Sequence, residues 1–229
     1  MKFAESLQMR LIDRDQSKIT IKNSADEEES YEVLANFPFS SETKRMGIIL
    51  RHIISGRILF YLKGAETVMK NKVKPTQRVV IDEACDNLAN EGLRTLVISQ
   101  KLITQEFYDA WNVRYEAAKA DLNDREKRTQ ECIEELESEM ELLGVTGVED
   151  RLQDDVALVI ESLRNAGIQI WMLTGDKVET ATCIAISAGF KRRNQPIFSM
   201  RDMTDPQEVS RELEQFSRKA ANSILMIDG

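Results

Sequence analysis

The sequence predicts an α/β protein in two successive parts. An α+β region with a mainly antiparallel sheet is expected over residues 1–144, and a doubly wound α/β region over residues 145–229. Three observations carry this. The first hundred residues hold short, β-branched runs in which apolar and polar positions alternate. A long, heavily charged helical stretch follows. From Gly144 onward, helix-length segments alternate with short apolar ones, the pattern of parallel strands joined by helices.

In the first part, strands are expected at residues 9–12, 18–22, 31–37, 46–52, 57–63 and 94–101. Arg14-Asp15-Gln16-Ser17 and Ile54-Ser55-Gly56 have the composition of hairpin connections. The acidic run Asp26-Glu27-Glu28-Glu29 is expected to be a solvated loop tip. A helix over residues 79–91, ended by Gly92, precedes the sixth strand. Residues 104–143 read as one long helical stretch starting at Thr104, solvent-facing or packed along a narrow stripe. Its apolar positions Cys132, Ile133, Leu136, Met140 and Leu143 span too few heptads for a coiled coil. In the second part, helices are expected at residues 152–166, 178–189 and 206–221, with strands at 168–173, 196–199 and 223–227.

Composition narrows the function. The 31 basic and 39 acidic residues leave a formal charge of −8, which argues against a nucleic-acid partner and leaves a nucleotide open. No apolar run approaches the roughly 20 residues that span a bilayer, and no signal peptide is evident. Cys85, Cys132 and Cys183 are far apart and form no CxxC pair, so reduced thiols are expected. His52, the only histidine, reads as a surface strand residue. Chemistry must therefore rest on carboxylates, hydroxyls, lysines and arginines.

The strongest local signal is Ile168-Gln169-Ile170-Trp171-Met172-Leu173-Thr174-Gly175-Asp176-Lys177, an apolar run entering Thr-Gly-Asp just before a helix. Ligands of open α/β sheets gather at such strand ends. Gly175 permits close approach of a ligand, the helix start offers free N–H groups, and the Thr174 hydroxyl can donate to a phosphoryl oxygen. Read alone, the same residues also describe a capped helix start with Asp176 as N-cap.

Leu173-Thr174-Gly175-Asp176-Lys177 followed by Glu179-Thr180-Ala181 resembles the Thr-Gly-Asp motif in the phosphorylation domain of P-type ATPases, a branch of the haloacid-dehalogenase-like superfamily. Thr146-Gly147-Val148-Glu149-Asp150-Arg151-Leu152-Gln153 is similar to the segment by which that family's chain re-enters the domain. The first part agrees. Phe37-Pro38-Phe39-Ser40-Ser41-Glu42-Thr43-Lys44-Arg45-Met46, Lys63-Gly64-Ala65-Glu66 and Gly92-Leu93-Arg94-Thr95-Leu96 resemble motifs of the family's nucleotide-binding domain. The resemblance implies that Phe39 stacks on adenine with Lys44 a nearby cation, Lys63 lines the pocket, Gly64 lets the ligand approach, and Arg94 reaches ribose or phosphate. It also implies that Thr174, Gly175 and Asp176 serve the phosphate pocket.

The Phe-Pro-Phe-Ser-Ser and Ile-Trp-Met-Leu-Thr-Gly-Asp-Lys forms look like the phospholipid flippases. The compact Thr-Gly-Val-Glu-Asp is similar to a branch of the Golgi and endosome. The implied cofactors are ATP and Mg²⁺, with the magnesium ligands mostly outside these residues. A phospholipid would be the cargo of membrane helices. The family's Asp-Lys-Thr-Gly-Thr and Gly-Asp-Gly-x-Asn-Asp motifs are absent. The expectation is a chain that binds ATP on the cytosolic face of a membrane without turning it over, and whose sheet after Gly144 has an unpaired strand edge. Two other readings are a haloacid-dehalogenase-like phosphatase and a non-enzymatic module that binds a partner through residues 104–143.

Overall fold

A computed structural model describes residues 2–149, 151–192, 194–201, 203–220 and 223–228. The chain forms two compact units, Met1–Asp86 with Thr95–Thr146, and Asn87–Arg94 with Gly147–Gly229. Asp150 of the re-entry segment and Ala221, the expected end of the last helix, lie outside the described residues.

The first unit opens with helix α1 (Lys2–Ser6) and then builds a sheet from β1 (Arg10–Arg14), β2 (Lys18–Lys22), β3 (Glu28–Phe37), β4 (Arg45–His52), β5 (Ile58–Gly64), β6 (Arg94–Ile103) and β7 (Glu141–Val148). The seven strands lie side by side in chain order. Antiparallel ladders join successive strands from β1 through β6. Local chemistry makes the turns. The Asp15 carboxylate accepts the N–H groups of Ser17 and Lys18 at 2.6 and 2.7 Å, closing the first hairpin. The acidic run is not wholly a loop tip, because Glu28 and Glu29 already belong to β3, where they pair with Lys22 and Ile21.

One face of the sheet is buried. Along β4, Arg45, Gly47 and Ile49 point inward; along β5, Ile58, Phe60, Leu62 and Gly64 do the same. This face packs on helices α2 (Glu66–Met69), α3 (Arg78–Asn90), α4 (Gln105–Ala120) and α5 (Arg125–Leu136) through Met69, Ile81, Cys85, Trp111 and Leu136. Gly47 is needed here, since a Cβ would lie 2.7 Å from the Phe60 ring.

The expected long helix of residues 104–143 is instead two helices and a strand. Thr104 does cap the start, accepting the Phe107 N–H at 3.2 Å. The break comes at Asp121, whose carboxylate takes the N–H groups of Asn123 and Asp124 and so competes with helix continuation. Reversal there lets α5 return along α4. Trp111 stacks on Tyr115 at 4.7 Å, meets Phe37 edge-on, and donates its indole N–H to the Cys132 carbonyl at 2.9 Å. Leu136 and Met140 are fully buried. Gly144 falls within β7. His52 lies on strand β4, as expected, partly exposed and with its ring 5.1 Å from that of Tyr31.

The second unit contains α6 (Val156–Asn165), α7 (Val178–Ser187), β8 (Ile197–Met200), α8 (Pro206–Lys219) and β9 (Ile224–Ile227). Strands β8 and β9 pair in parallel, as the alternation of strands and helices predicts. Helix α8 starts at Asp205, whose carboxylate accepts the Gln207 N–H, with Pro206 next. Helix α6 begins at Val156, four residues later than expected. The strand expected at residues 168–173 does not form. Trp171 is 80% and Leu173 91% exposed. An apolar run becomes a strand of a parallel sheet only with ladder partners beside it, and among the described residues no strand pairs with this one.

Trp111→Ala is expected to destabilise the first unit by about 3–5 kcal/mol, read as a lower urea midpoint. A loss within about 0.5 kcal/mol, the size of a surface substitution, would contradict the role given to this side chain.

Candidate functional site

Four of the residues singled out in the sequence lie near one end of the first unit's sheet, Phe39 and Lys44 in the segment between β3 and β4 and Lys63 and Gly64 at the end of β5. Strand β3 ends with Phe37 buried in the core. Pro38 has no N–H to continue the ladder, and Phe39, beyond it, is 61% exposed. The turn that follows is held by its own hydroxyls. Ser40 Oγ lies 2.7 Å from Thr43 Oγ1 and accepts the Thr43 N–H, and the Ser40 carbonyl accepts the Lys44 N–H at 2.9 Å. Lys44 then takes a left-handed backbone, with φ of +49°. A non-glycine residue in that region is strained and persists only where its surroundings enforce it.

Strand register brings in the rest. The Lys44 carbonyl accepts the Ala65 N–H at 3.0 Å, Arg45 pairs with Gly64, and Met46 pairs with Lys63. The ammonium-bearing side chains of Lys44 and Lys63 are both exposed. Gly64 has a reason within the sheet itself, because a Cβ there would lie 2.7 Å from the Arg45 Cβ and 2.9 Å from the Lys44 carbonyl oxygen. An exposed aromatic face with two exposed lysines nearby suits a flat, neutral heteroaromatic ring with a negatively charged group attached to it. Beside the turn lies a cavity of about 180 Å³, lined by Pro38, Ser40, Thr43, Arg45, Tyr115 and Glu137. A wider cleft of about 610 Å³ lies at the opposite ends of β4 and β5, among Glu27, Glu29, Tyr31, His52 and Leu59.

Sequence reading missed Arg45 and Glu137. Both are buried, and Arg45 Nε lies 2.6 Å from Glu137 Oε1. One signal was present. Arg45 falls in the inward-facing alternation with Gly47 and Ile49, so its charge requires a buried partner. Nothing local could identify that partner, which lies 92 residues away.

In the second unit, Thr174, Gly175 and Asp176 precede α7 and are joined by Arg94. Arg94 grips Asp176 in bidentate fashion, Nε to Oδ1 at 2.8 Å and Nη2 to Oδ2 at 2.9 Å. Thr174 Oγ1 donates to Asp176 Oδ2 at 2.8 Å and accepts the Asp176 N–H at 3.1 Å. Gly175 stands in open space, with nothing within 4 Å of where a Cβ would be. Of the two readings of this segment, the one with Asp176 as N-cap does not hold, since α7 starts from Lys177 with no side-chain cap. Gly92, with φ of +82°, approaches Cys183 so closely that a Cβ would lie 2.9 Å from the cysteine Cβ. Arg94 thus sits with the Thr-Gly-Asp residues, while Phe39, Lys44, Lys63 and Gly64 form the other group.

A family model described as P-type ATPase, cytoplasmic domain N, matches residues 1–155. The chain is 46% identical over 219 residues to the probable phospholipid-transporting ATPase IIB of Danio rerio, which aligns with 96% of this chain and 19% of that protein. It is 45% identical over 231 residues to phospholipid-transporting ATPase neo1 of Schizosaccharomyces pombe, covering 100% of this chain and 22% of the relative. For the probable phospholipid-transporting ATPase tat-5 of Caenorhabditis elegans the identity is 40%, with 99% and 21% covered. The chain spans about a fifth of the length of these relatives.

The hydrogen bonds from Arg94, with help from the Thr174 hydroxyl and against a push from burial, hold the Asp176 carboxyl below the usual carboxylate range. A depressed folded-state value means the contribution to stability is complete above the ordinary value of about 3.9 and lost as pH falls through the lower one. The Asp176 carboxyl carbon shift is expected to titrate below the ordinary value, and Arg94→Gln to move the midpoint upward. Coincident midpoints would show that Arg94 does not hold this carboxylate.

Proposed function

The chain belongs to the P-type ATPases, and on that premise we propose that it is the ATP-presenting cytoplasmic portion of a phospholipid-translocating pump. Residues 1–144 serve as the nucleotide-binding domain and residues 145–229 as part of a haloacid-dehalogenase-like phosphorylation domain. The observation that supports this most directly is the placement of Phe39, Lys44 and Lys63 near one sheet end, where Gly64 pairs with Arg45 and the Ala65 N–H bonds the Lys44 carbonyl. Phe39 stacks on the adenine, and the two lysines neutralise charge along the nucleotide.

In the whole protein the γ-phosphoryl passes to an aspartate outside these residues, with Thr174 and Gly175 holding its oxygens and Asp176 ordering that loop. Magnesium bound with the nucleotide supplies charge neutralisation at the phosphates. Arg94 is the residue placed to exchange its carboxylate partner for a phosphate. Closure and reopening of the domains then move a lipid across the bilayer, on a Golgi or endosomal membrane with the site on its cytosolic side. Among the described residues no helix is long and apolar enough to span a membrane, so lipid contact is assigned to other segments of the pump. The phosphatase and partner-binding readings lose ground to the match over residues 1–155.

ATP added to the chain is expected to bind with a Kd on the order of 1 mM, about −4 kcal/mol, and to give no turnover. Amide shifts should cluster around Phe39, Lys44 and Lys63 and vanish in Phe39→Ala. No shifts at saturating ATP would overturn the nucleotide assignment.

A further inference from the structure

Three charged side chains meet inside the first unit, behind the turn that carries Phe39 and Lys44. Glu137, at the C-terminal cap of α5, is only 2% exposed. Its Oε1 is 2.6 Å from Arg45 Nε, and its Oε2 is 3.0 Å from Lys72 Nζ. Arg45 is 9% exposed, and its Nη1 also donates to the Thr43 carbonyl at 3.2 Å.

Stability gives little reason for this arrangement. Buried ion pairs can often be replaced by apolar residues without loss, because taking two charges out of water offsets their attraction. The arrangement does give orientation. Guanidinium is a rigid planar fork, so fixing Nε on Glu137 fixes where Nη1 points. It points at the carbonyl of Thr43, the residue just before the left-handed Lys44. The second tether is also close to the candidate site. Lys72 lies just past α2, the short helix that follows Lys63-Gly64-Ala65. The backbone around it is pinned to the chain beyond Glu137, since the Lys72 carbonyl accepts the Met140 N–H at 2.9 Å and the Met140 carbonyl accepts the Lys74 N–H at 3.0 Å.

We propose that Glu137 is a positioning residue for nucleotide binding, holding the β3–β4 turn through Arg45 and the segment after β5 through Lys72. The inference rests on the nucleotide reading of Phe39, Lys44 and Lys63. It makes the α4–α5 hairpin part of the binding apparatus, since the end of α5 sets the backbone at Lys44 without touching the ligand. A carboxylate is required because one charge must serve two cations: Arg45 Nε donates to Oε1, while Lys72 Nζ stands 3.0 Å from Oε2 as an ion pair without a hydrogen bond. A neutral amide of the same size would leave Arg45 and Lys72 facing each other without a counter-charge.

The test compares the wild-type chain with Glu137→Gln and with the double variant Arg45→Met/Glu137→Leu. For each, it measures ATP affinity by amide shifts, the exchange rate of the Lys44 amide, and the urea midpoint. Glu137→Gln is expected to weaken ATP binding about tenfold and to speed Lys44 amide exchange. The double variant is expected to regain part of the urea midpoint lost in Glu137→Gln, since only Lys72, the most exposed of the three side chains at 20%, is left without its partner, while ATP binding stays weak; it carries the test if Glu137→Gln fails to fold. Wild-type affinity in a folded double variant would overturn the positioning role and leave a merely structural ion pair. Absence of any ATP response in the wild-type chain would overturn the nucleotide reading instead, while unchanged Lys44 exchange in the variants would separately overturn the tether.

Discussion

Phe37 points into the core and Phe39 points out of it, although two residues apart in a strand they would share a face. The change is enforced from both sides. Inward, Phe37 is boxed by edge-on contacts with Phe60, Trp111 and Tyr115 at ring separations of about 6 Å. Outward, Pro38 ends the ladder and frees the next residue from the strand's alternation. The helical hairpin α4–α5 exists to complete that box, because Trp111 and Tyr115 come from α4 while Leu136 and Ile133 come from α5. If the box were loosened, the turn from Phe39 to Lys44 would lose its fixed origin, and the register that sets Lys63 beside it would have nothing to align with.

The two groups of candidate residues divide phosphoryl chemistry in a physically sensible way. The first offers an aromatic surface and exposed positive charge, which under the proposed reading would bind a nucleotide without committing to the position of its last phosphate. The second offers a hydroxyl, an unobstructed glycine and a carboxylate held ionised by arginine, which suit a loop that must accept a phosphoryl group at close range. Arg94 joins the second group through strong bidentate bonds. The family resemblance alone would have sent it to the nucleotide.

Most of the sheet was legible because period-2 alternation is local. Strands β2 to β6 fall within a few residues of the expected positions, and the hairpins at Asp15 and Gly56 follow from their turn chemistry. The break at Asp121 was hidden because charged helical sequence continues on both sides of it, so only the return of α5 onto Trp111 reveals it. Strand β7 was hidden for a related reason, since Leu142 and Val145 follow a helix whose period they do not interrupt. The run at residues 168–173 misled in the opposite direction. Its apolar character is that of a buried strand, yet burial requires neighbours, which sequence composition cannot supply. Of the candidate site, Phe39, Lys44, Lys63 and Gly64 were singled out by motif, and strand register brings their backbone to one sheet end. The Glu137 tether was invisible because its partners lie 92 and 65 residues away along the chain.

The measurement that tests the central claim most directly is a search for nuclear Overhauser contacts between the adenine protons of bound ATP and the aromatic protons of the chain. Adenine H2 or H8 contacts to the Phe39 ring, with others to the Lys63 side chain, are the predicted result. Contacts to Tyr31 or His52 instead would place the base in the wider cleft at the far ends of β4 and β5, contradicting the assignment of the nucleotide to the Phe39 turn.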